Sequence, residues 1–270
     1  MNPRRTFAIL LRHVYLLRGS PARVVPLFAW VAIDIVLWGF ITKYLNSVAQ
    51  SGFNFVPVLL GAVLLWDFFT RVMQGVTMAF FEDVWSRNFL NIFASPLSIV
   101  EYLSGLVLSC IMTSLVGLLA MLVLASTIFG LSFFGFGLAF VPFLSILFVF
   151  GIALGIAGSA VVLRLGPAAE WLIWPIPALV SPFAGVFYPL STLPEWMRIV
   201  ARAVPASYVF EGMRAIIAGG SGQLRSGAAM AWGAALALAY LAGAVWLFTA
   251  THRRAVRTGL IARYSSETVT

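Results

Sequence analysis

Six apolar runs limit what this chain can fold into. They cover roughly Val24–Leu45, Phe55–Phe81, Leu103–Phe129, Gly137–Leu163, Ala168–Tyr188 and Ala228–Ala250. About 20 apolar residues carry a helix across ~30 Å of hydrocarbon. A segment in lipid must satisfy its own backbone hydrogen bonds, so each run is expected to be a membrane-spanning helix. Of 270 residues, 61% are hydrophobic and 10% charged, against about 25% charged in an ordinary soluble domain. The fold class is therefore all-α integral membrane, a single transmembrane domain over 1–270.

Arginine placement sets the expected orientation, because basic residues beside spans mark cytoplasmic ends. Arg4, Arg5, Arg12, Arg18 and Arg23 precede the first run, and His252, Arg253, Arg254, Arg257 and Arg263 follow the last. Both termini are expected in the cytoplasm, with Arg87 and Arg164 in cytoplasmic loops. The loops Asn46–Asn54 and Leu131–Phe136 carry no Lys or Arg, as external loops should. Arg198, Arg202, Arg214 and Arg225 fall on the external side and disagree with this count. The net charge of +8 does not point to nucleic acid, because the arginines are scattered or flank apolar runs. The N-terminus lacks the form of a signal peptide.

Pro3–Arg18 reads as an amphipathic interface helix within 1–23. Phe7, Leu10, Leu11, Val14 and Tyr15 share one face, with Arg5 and Arg12 opposite and directed toward anionic lipid. A simple basic topology signal is the blander reading. After the second run, 82–101 holds Glu82, Asp83 and Arg87. Ser95-Pro96 then stops any helix, because the residue before proline is pushed out of the helical region. Ser98-x-x-Glu101 is a capping box opening the third span. The loop is either a rigid element shaped to take a push from a partner or a capped interhelical turn.

The fifth run is irregular, because Pro175, Pro177 and Pro182 remove backbone donors. The stretch 191–220 is too broken to span and too apolar for an ordinary loop. Thr192-x-x-Glu195 is expected to cap a helix running to about Val204, with Leu193, Trp196, Met197, Val200 and Val204 on one face. Pro205 is expected to end it and Ser207 to cap a second helix to Ala218. At 1.5 Å per residue each would be about 18 Å long. Two such half-length helices suggest an element that dips in from the outer face and returns, which would exempt its arginines from the positive-inside count.

Asp34 sits inside the first span, and Asp67 and Arg71 at i, i+4 inside the second. Ionised groups at mid-bilayer are expensive and should face protein or water. They either line a polar path or form a neutralised pair, with Asp34 nearby, holding two spans together. Gly151-x-x-x-Gly155 with Gly158, and Ala231, Ala235, Ala239 and Gly243, give two smooth faces suited to packing within the subunit. Phe133, Phe134 and Phe136 suit an outer interface.

No catalytic constellation is legible: no phosphate-binding lysine loop, no paired His-Glu motif, no nucleophile elbow. His13 and His252 lie near the two ends. Cys110 is the single cysteine, so neither an intrachain disulfide nor a metal cluster is expected. Uphill work would draw on another subunit or an ion gradient.

Two stretches resemble the permease subunits of type-2 ABC exporters, which include polysaccharide, teichoic-acid and drug exporters. One is the acidic end of the second run followed by NFLNIFASPLSIVEYLSG. The other is GVFYPLSTLPEWMRIVARAVPASYVFEGMR. The resemblance implies six spans, an interface helix, two re-entrant helices before the sixth span, and cytoplasmic ATPase subunits that bind the ATP and Mg. No cofactor would belong to this chain. The coupling role would fall on Glu82, Asp83, Arg87 and Pro96. The external gate role would fall on Pro189, Leu193, Pro194, Trp196, Pro205, Tyr208, Glu211 and Arg214. A second permease copy or a relative would complete the path in a cell or inner membrane, moving an amphipathic, lipid-linked or hydrophobic substrate outward. The rivals are an ion-gradient carrier using Asp34, Asp67 and Arg71, and a non-transporting membrane assembly factor.

Overall fold

The computed structural model describes residues 2–48, 59–86, 91–92, 95–130, 140–217 and 223–259, and among these no strand occurs. Arg87, Phe133, Phe134, Phe136 and Arg263 lie outside the described residues.

Nine α-helices are described: α1 Pro3–Arg18, α2 Pro21–Val48, α3 Gly61–Trp85, α4 Ile99–Phe129, α5 Phe140–Leu165, α6 Ile176–Ala184, α7 Glu195–Arg202, α8 Pro205–Ile217 and α9 Gln223–Arg257. Local chemistry explains several ends. Asn2 caps α1 through its side chain, Pro3 takes the first turn, and Gly19 closes the helix. The capping box that opens α4 forms as expected: Ser98 accepts from the Glu101 N–H and Glu101 accepts from the Ser98 N–H.

Four helices are long and apolar enough to cross a membrane: Pro21–Val48, Ile99–Phe129, Phe140–Leu165 and Gly227–Arg257. The 25-residue α3 has the length, but Asp67, Arg71 and Gln74 dilute its apolar face. The fifth run is not one helix. After Gly166 come a 3-10 turn over Pro167–Leu172 and then the nine-residue α6, with Pro175 at its N-cap and Pro182 inside it. Nine residues rise about 14 Å, about half the hydrocarbon thickness. Pro175, lacking an N–H for the helical ladder, sits where α6 begins, while α6 continues through Pro182.

The hub is α5, which packs against α3, α9, α8 and the 3-10 turn. Glycine sets the α3–α5 spacing. A Cβ at Gly155 would sit 2.7 Å from the Met73 carbonyl oxygen, and one at Gly151 would sit 2.9 Å from Val72 Cγ1. The backbones meet because no side chain separates them. Phe69 and Phe150 stack beside this seam at 5.2 Å. At Gly158 a Cβ would meet Ile173 at 3.0 Å, so all three glycines pack within the subunit.

The other smooth face behaves differently. Gly233, Ala237, Ala244 and Phe248 form the buried side of α9, while Ala231, Ala235, Ala239 and Gly243 are exposed. A Cβ at Gly243 would meet nothing within 4 Å. The expectation that this stripe packs inside the subunit is corrected. The stripe of Gly233, Ala237 and Ala244 faces the neighbouring helices instead, with a Cβ at Gly233 meeting Tyr208 at 3.0 Å, and Phe248 meets Phe80 edge-to-face.

Candidate functional site: clamps at two ends of the bundle

At the end of the bundle carrying α1, three elements converge on one carboxylate. Asp83, near the end of α3, is wholly buried. It accepts from the Arg12 guanidinium of α1 and, at 2.8 Å, from the Tyr102 hydroxyl of α4. A buried charge persists only when paired and hydrogen-bonded, and these donors supply both. Glu101 is also buried. Its Oε1 accepts from the Asn2 backbone N–H at 2.6 Å, and Arg5 stands 3.7 Å away. Arg5 also donates to the Pro96 carbonyl. Arg23 pairs with Glu82 at 3.1 Å. The His13 ring sits between the Ile9 and Ala79 carbonyls at 3.0 and 3.3 Å.

This arrangement corrects the expected orientation of α1. Thr6 and His13 are its buried residues, while Phe7 and Tyr15 are exposed. Arg12 reaches the buried Asp83, and Arg5, though exposed, is engaged by Pro96 and Glu101 rather than directed only toward lipid. The reason is the pair of acidic side chains beneath them, which outcompete a solvated arrangement once α4 supplies Tyr102 and the capping box. Pro96 is exposed beside a cavity of about 310 Å³, whose lining includes Arg5, Ile9, Arg12, Asp83 and Tyr102.

Halfway along the bundle, Asp67 and Arg71 form the expected pair at 3.1 Å. Asp34 on α2 lies within electrostatic reach of Arg71. The arginine stem rests on α4, where a Cβ at Gly117 would meet Arg71 Cδ at 3.6 Å. The three charged residues singled out in sequence thus gather where α2, α3 and α4 meet.

At the opposite end, α8 holds the chain that follows α6. Glu211 accepts from the Leu190 N–H at 2.9 Å. Arg214 donates to the Gly185 carbonyl and, at 2.7 Å, to the Tyr188 carbonyl, with Glu211 3.4 Å away. Gly185 has φ 65°, and a Cβ there would meet Leu190 at 2.9 Å and Arg214 at 3.2 Å. Tyr188 donates back to the Pro182 carbonyl at 3.0 Å. Phe187 in the same segment stacks on Trp38 of α2.

The turn between α7 and α8 departs from expectation. Thr192 and Glu195 make no capping box: Pro194 is the N-cap of α7, without a side-chain cap bond, and Thr192 donates to the Pro189 carbonyl. Pro205 opens α8 instead of ending α7, in keeping with proline's fitness for a first turn. Ser207, inside α8, donates back to the Ala201 and Val204 carbonyls, and Tyr208 donates to Arg202 O at 2.8 Å. Both helices are short, with 8 and 13 residues. On α7, Leu193 and Val204 flank the helix as buried anchors, but Trp196, Ile199 and Val200 are exposed.

Sequence reasoning missed Arg12, Tyr102, Trp38 and Phe187. Tyr102 lay within a quoted motif, and Arg12 was placed on the opposite face. Nothing in the spacing paired either one with Asp83. Among the described residues no group of three or more His, Cys, Asp or Glu is placed to hold a metal ion.

A bundle with four helices long and apolar enough to cross a membrane, carrying acidic–basic clamps at one end and a short helical pair held at the other, defines an all-helical membrane protein. Residues 17–218 match the family model of the ABC-2 type transporter. The chain belongs to that family, as a transmembrane permease of an ABC transporter, whose members work in a membrane with ATPase partner subunits. No curated protein matches the chain.

Proposed function

We propose that this permease is half of an ATP-driven exporter that moves an amphipathic, lipid-linked or hydrophobic substrate out of the cytoplasm. Two copies, with first, second and fifth crossings facing each other, would complete the path. The chain would cross a cytoplasmic or inner membrane six times through α2, α3, α4, α5, the broken stretch 168–188 and α9, with both termini in the cytoplasm. ATPase subunits would push on the segment bearing Glu82, Arg87 and Pro96. Asp83, being buried, would serve inside the permease rather than at the contact. The α7–α8 pair would be the external gate, entering the lipid from outside and leaving by the same side.

The observation that carries this reading is the grip of Glu211 and Arg214 on residues 185–190. It ties a half-length helical pair to a proline-broken crossing, so that movement of one must move the other. Asp34, Asp67 and Arg71 would face the inter-subunit path from the middle of the bundle.

Orientation and function are tested together. Cys110 is buried, so Cys110→Ser gives a quiet background in which Arg198→Cys is the reporter. External labelling by an impermeant maleimide in intact cells, with ATP-dependent efflux of a fluorescent amphiphile from proteoliposomes containing the permease and an ATPase subunit that co-purifies with it, is the expected pair of results. Labelling confined to inverted vesicles would overturn the gate.

A further inference from the structure

We propose that α1 and the two ends of the 86–98 segment form one mechanical unit, locked by the Arg12–Asp83–Tyr102 clamp. The proposal adds that this unit must stay locked for an ATPase stroke to reach the spans. It deepens the reading above and names Arg12 and Tyr102 as positioning residues. Nearly all of α1 lies outside the region 17–218 that defines the family.

The argument begins with connectivity. Force delivered to the segment between Ser86 and Ser98 must leave through α3, through α4, or through both. Two spans driven separately would splay and absorb the displacement in their own side-chain packing. A cross-brace would make them move together, and α1 is placed as one. On the α3 side it holds Asp83 through Arg12 and the Ala79 carbonyl through His13. On the α4 side it holds Pro96 through Arg5 and Glu101 through the Asn2 N–H. Arg23, at the start of α2, adds Glu82.

Asp83 is the pin. Its two oxygens are divided between neighbours: Oδ1 faces Arg12 and Oδ2 faces Tyr102. Removing either donor leaves a wholly buried carboxylate short of partners, a strongly unfavourable state that loosens the site. A cavity beside the clamp, lined by Arg12, Asp83 and Tyr102, leaves room for such loosening. Arg12 is partly exposed, its side chain 29% accessible, so Arg12→Gln can hydrate and α1 retains its other anchors.

The experiment has two arms. In the purified full-length permease, hydrogen exchange is followed in wild type, Arg12→Gln, Arg12→Lys and Tyr102→Phe. Arg12→Gln should speed exchange in 3–18 and in 79–85 and 98–103 together, with Tyr102→Phe intermediate and Arg12→Lys nearest wild type. Faster exchange confined to α1 would overturn the unit, and so would no change anywhere. In proteoliposomes with the ATPase, Arg12→Gln should lower substrate moved per ATP hydrolysed about tenfold, and Arg12→Lys should recover most of it. Transport and hydrolysis falling in proportion would show plain loss of folded protein and defeat the coupling role. Should the wild-type chain recruit no ATPase, the exporter reading fails, and the exchange arm still decides the clamp.

Discussion

Trp38 lies nearly flat on Phe187, with ring centroids 5.1 Å apart and planes 15° from parallel. This contact joins α2 to the segment that α8 grips through Glu211 and Arg214. Asp34 is one helical turn before Trp38, on the same side of α2. The charged meeting point at mid-bundle and the far-end clamp are therefore connected through a single helix.

If the stack carries this connection, Trp38 and Phe187 should be energetically coupled. Aromatic pairs contribute about 0.5–1.5 kcal/mol beyond their area burial. A double-mutant cycle with Trp38→Leu and Phe187→Leu, read by thermal unfolding in detergent, should give a coupling in that range. Strictly additive losses would mean that the rings merely touch.

Gly185 should tolerate no side chain. Its φ of 65° costs an L-residue roughly 1–2 kcal/mol, and Leu190 and Arg214 occupy the space a Cβ would need. Gly185→Ala should lower the melting temperature and expose the α7–α8 pair to trypsin at Arg198 and Arg202. Arg214→Met should act in the same direction, because both carbonyls accept from the Arg214 Nη2 and would lose that donor. An unchanged cleavage pattern in both variants would count against the grip.

The two small-residue faces should respond in opposite ways. Gly155→Val drives a side chain into the Met73 carbonyl and the α3 backbone, an overpacking that costs about 1–3 kcal/mol or more. Gly243→Val enters open space and should leave folded yield unchanged. Size-exclusion profiles of the detergent-solubilised variants distinguish them, and equal behaviour would refute the assigned seam.

Asp67 and Arg71 should be far more dispensable together than singly. Removing one partner of a buried pair strands the other, at a cost of about 3–5 kcal/mol for full burial and less here, where both side chains retain some exposure. Asp67→Leu or Arg71→Met alone should reduce folded yield, and the double substitution should restore it. Transport lost in a well-folded double variant would assign the pair to the path, whereas retained transport would reduce it to packing.

Much of the architecture was written in the sequence, because it depends on short-range chemistry. Apolar run length fixed where α2, α4, α5 and α9 lie, since a helix must cover the hydrocarbon with its own residues. Ser98-x-x-Glu101 fixed the start of α4, and Pro175 and Pro177 marked where α6 begins, because caps and missing donors act within one turn, whereas Pro182, expected to break the run, lies inside α6. Asp67 and Arg71 were legible as a pair for the same reason: four residues on a helix are neighbours.

Where two locally acceptable signals competed, sequence reasoning chose wrongly. Thr192-x-x-Glu195 has the form of a capping box, but Pro194 sets the helix start and Thr192 turns to Pro189. The alanines of α9 look like a packing face, yet Gly233, Ala237 and Ala244 on the neighbouring stripe met α5 and α8 first. Which stripe is buried depends on the rotation of the whole helix, and its partners set that.

Sequence alone determined that this chain is a bundle of membrane helices with a proline-rich broken stretch and a short helical pair before the last helix, because hydrophobic length, prolines and caps act locally. Tertiary structure alone decided that Arg12 would find Asp83 beside Tyr102, that Arg214 would hold Gly185 and Tyr188, and that Arg5 of α1 would meet Pro96 and Glu101. Each of these contacts joins residues from separate elements, and a buried charge takes whichever partner the packing of those elements brings within reach.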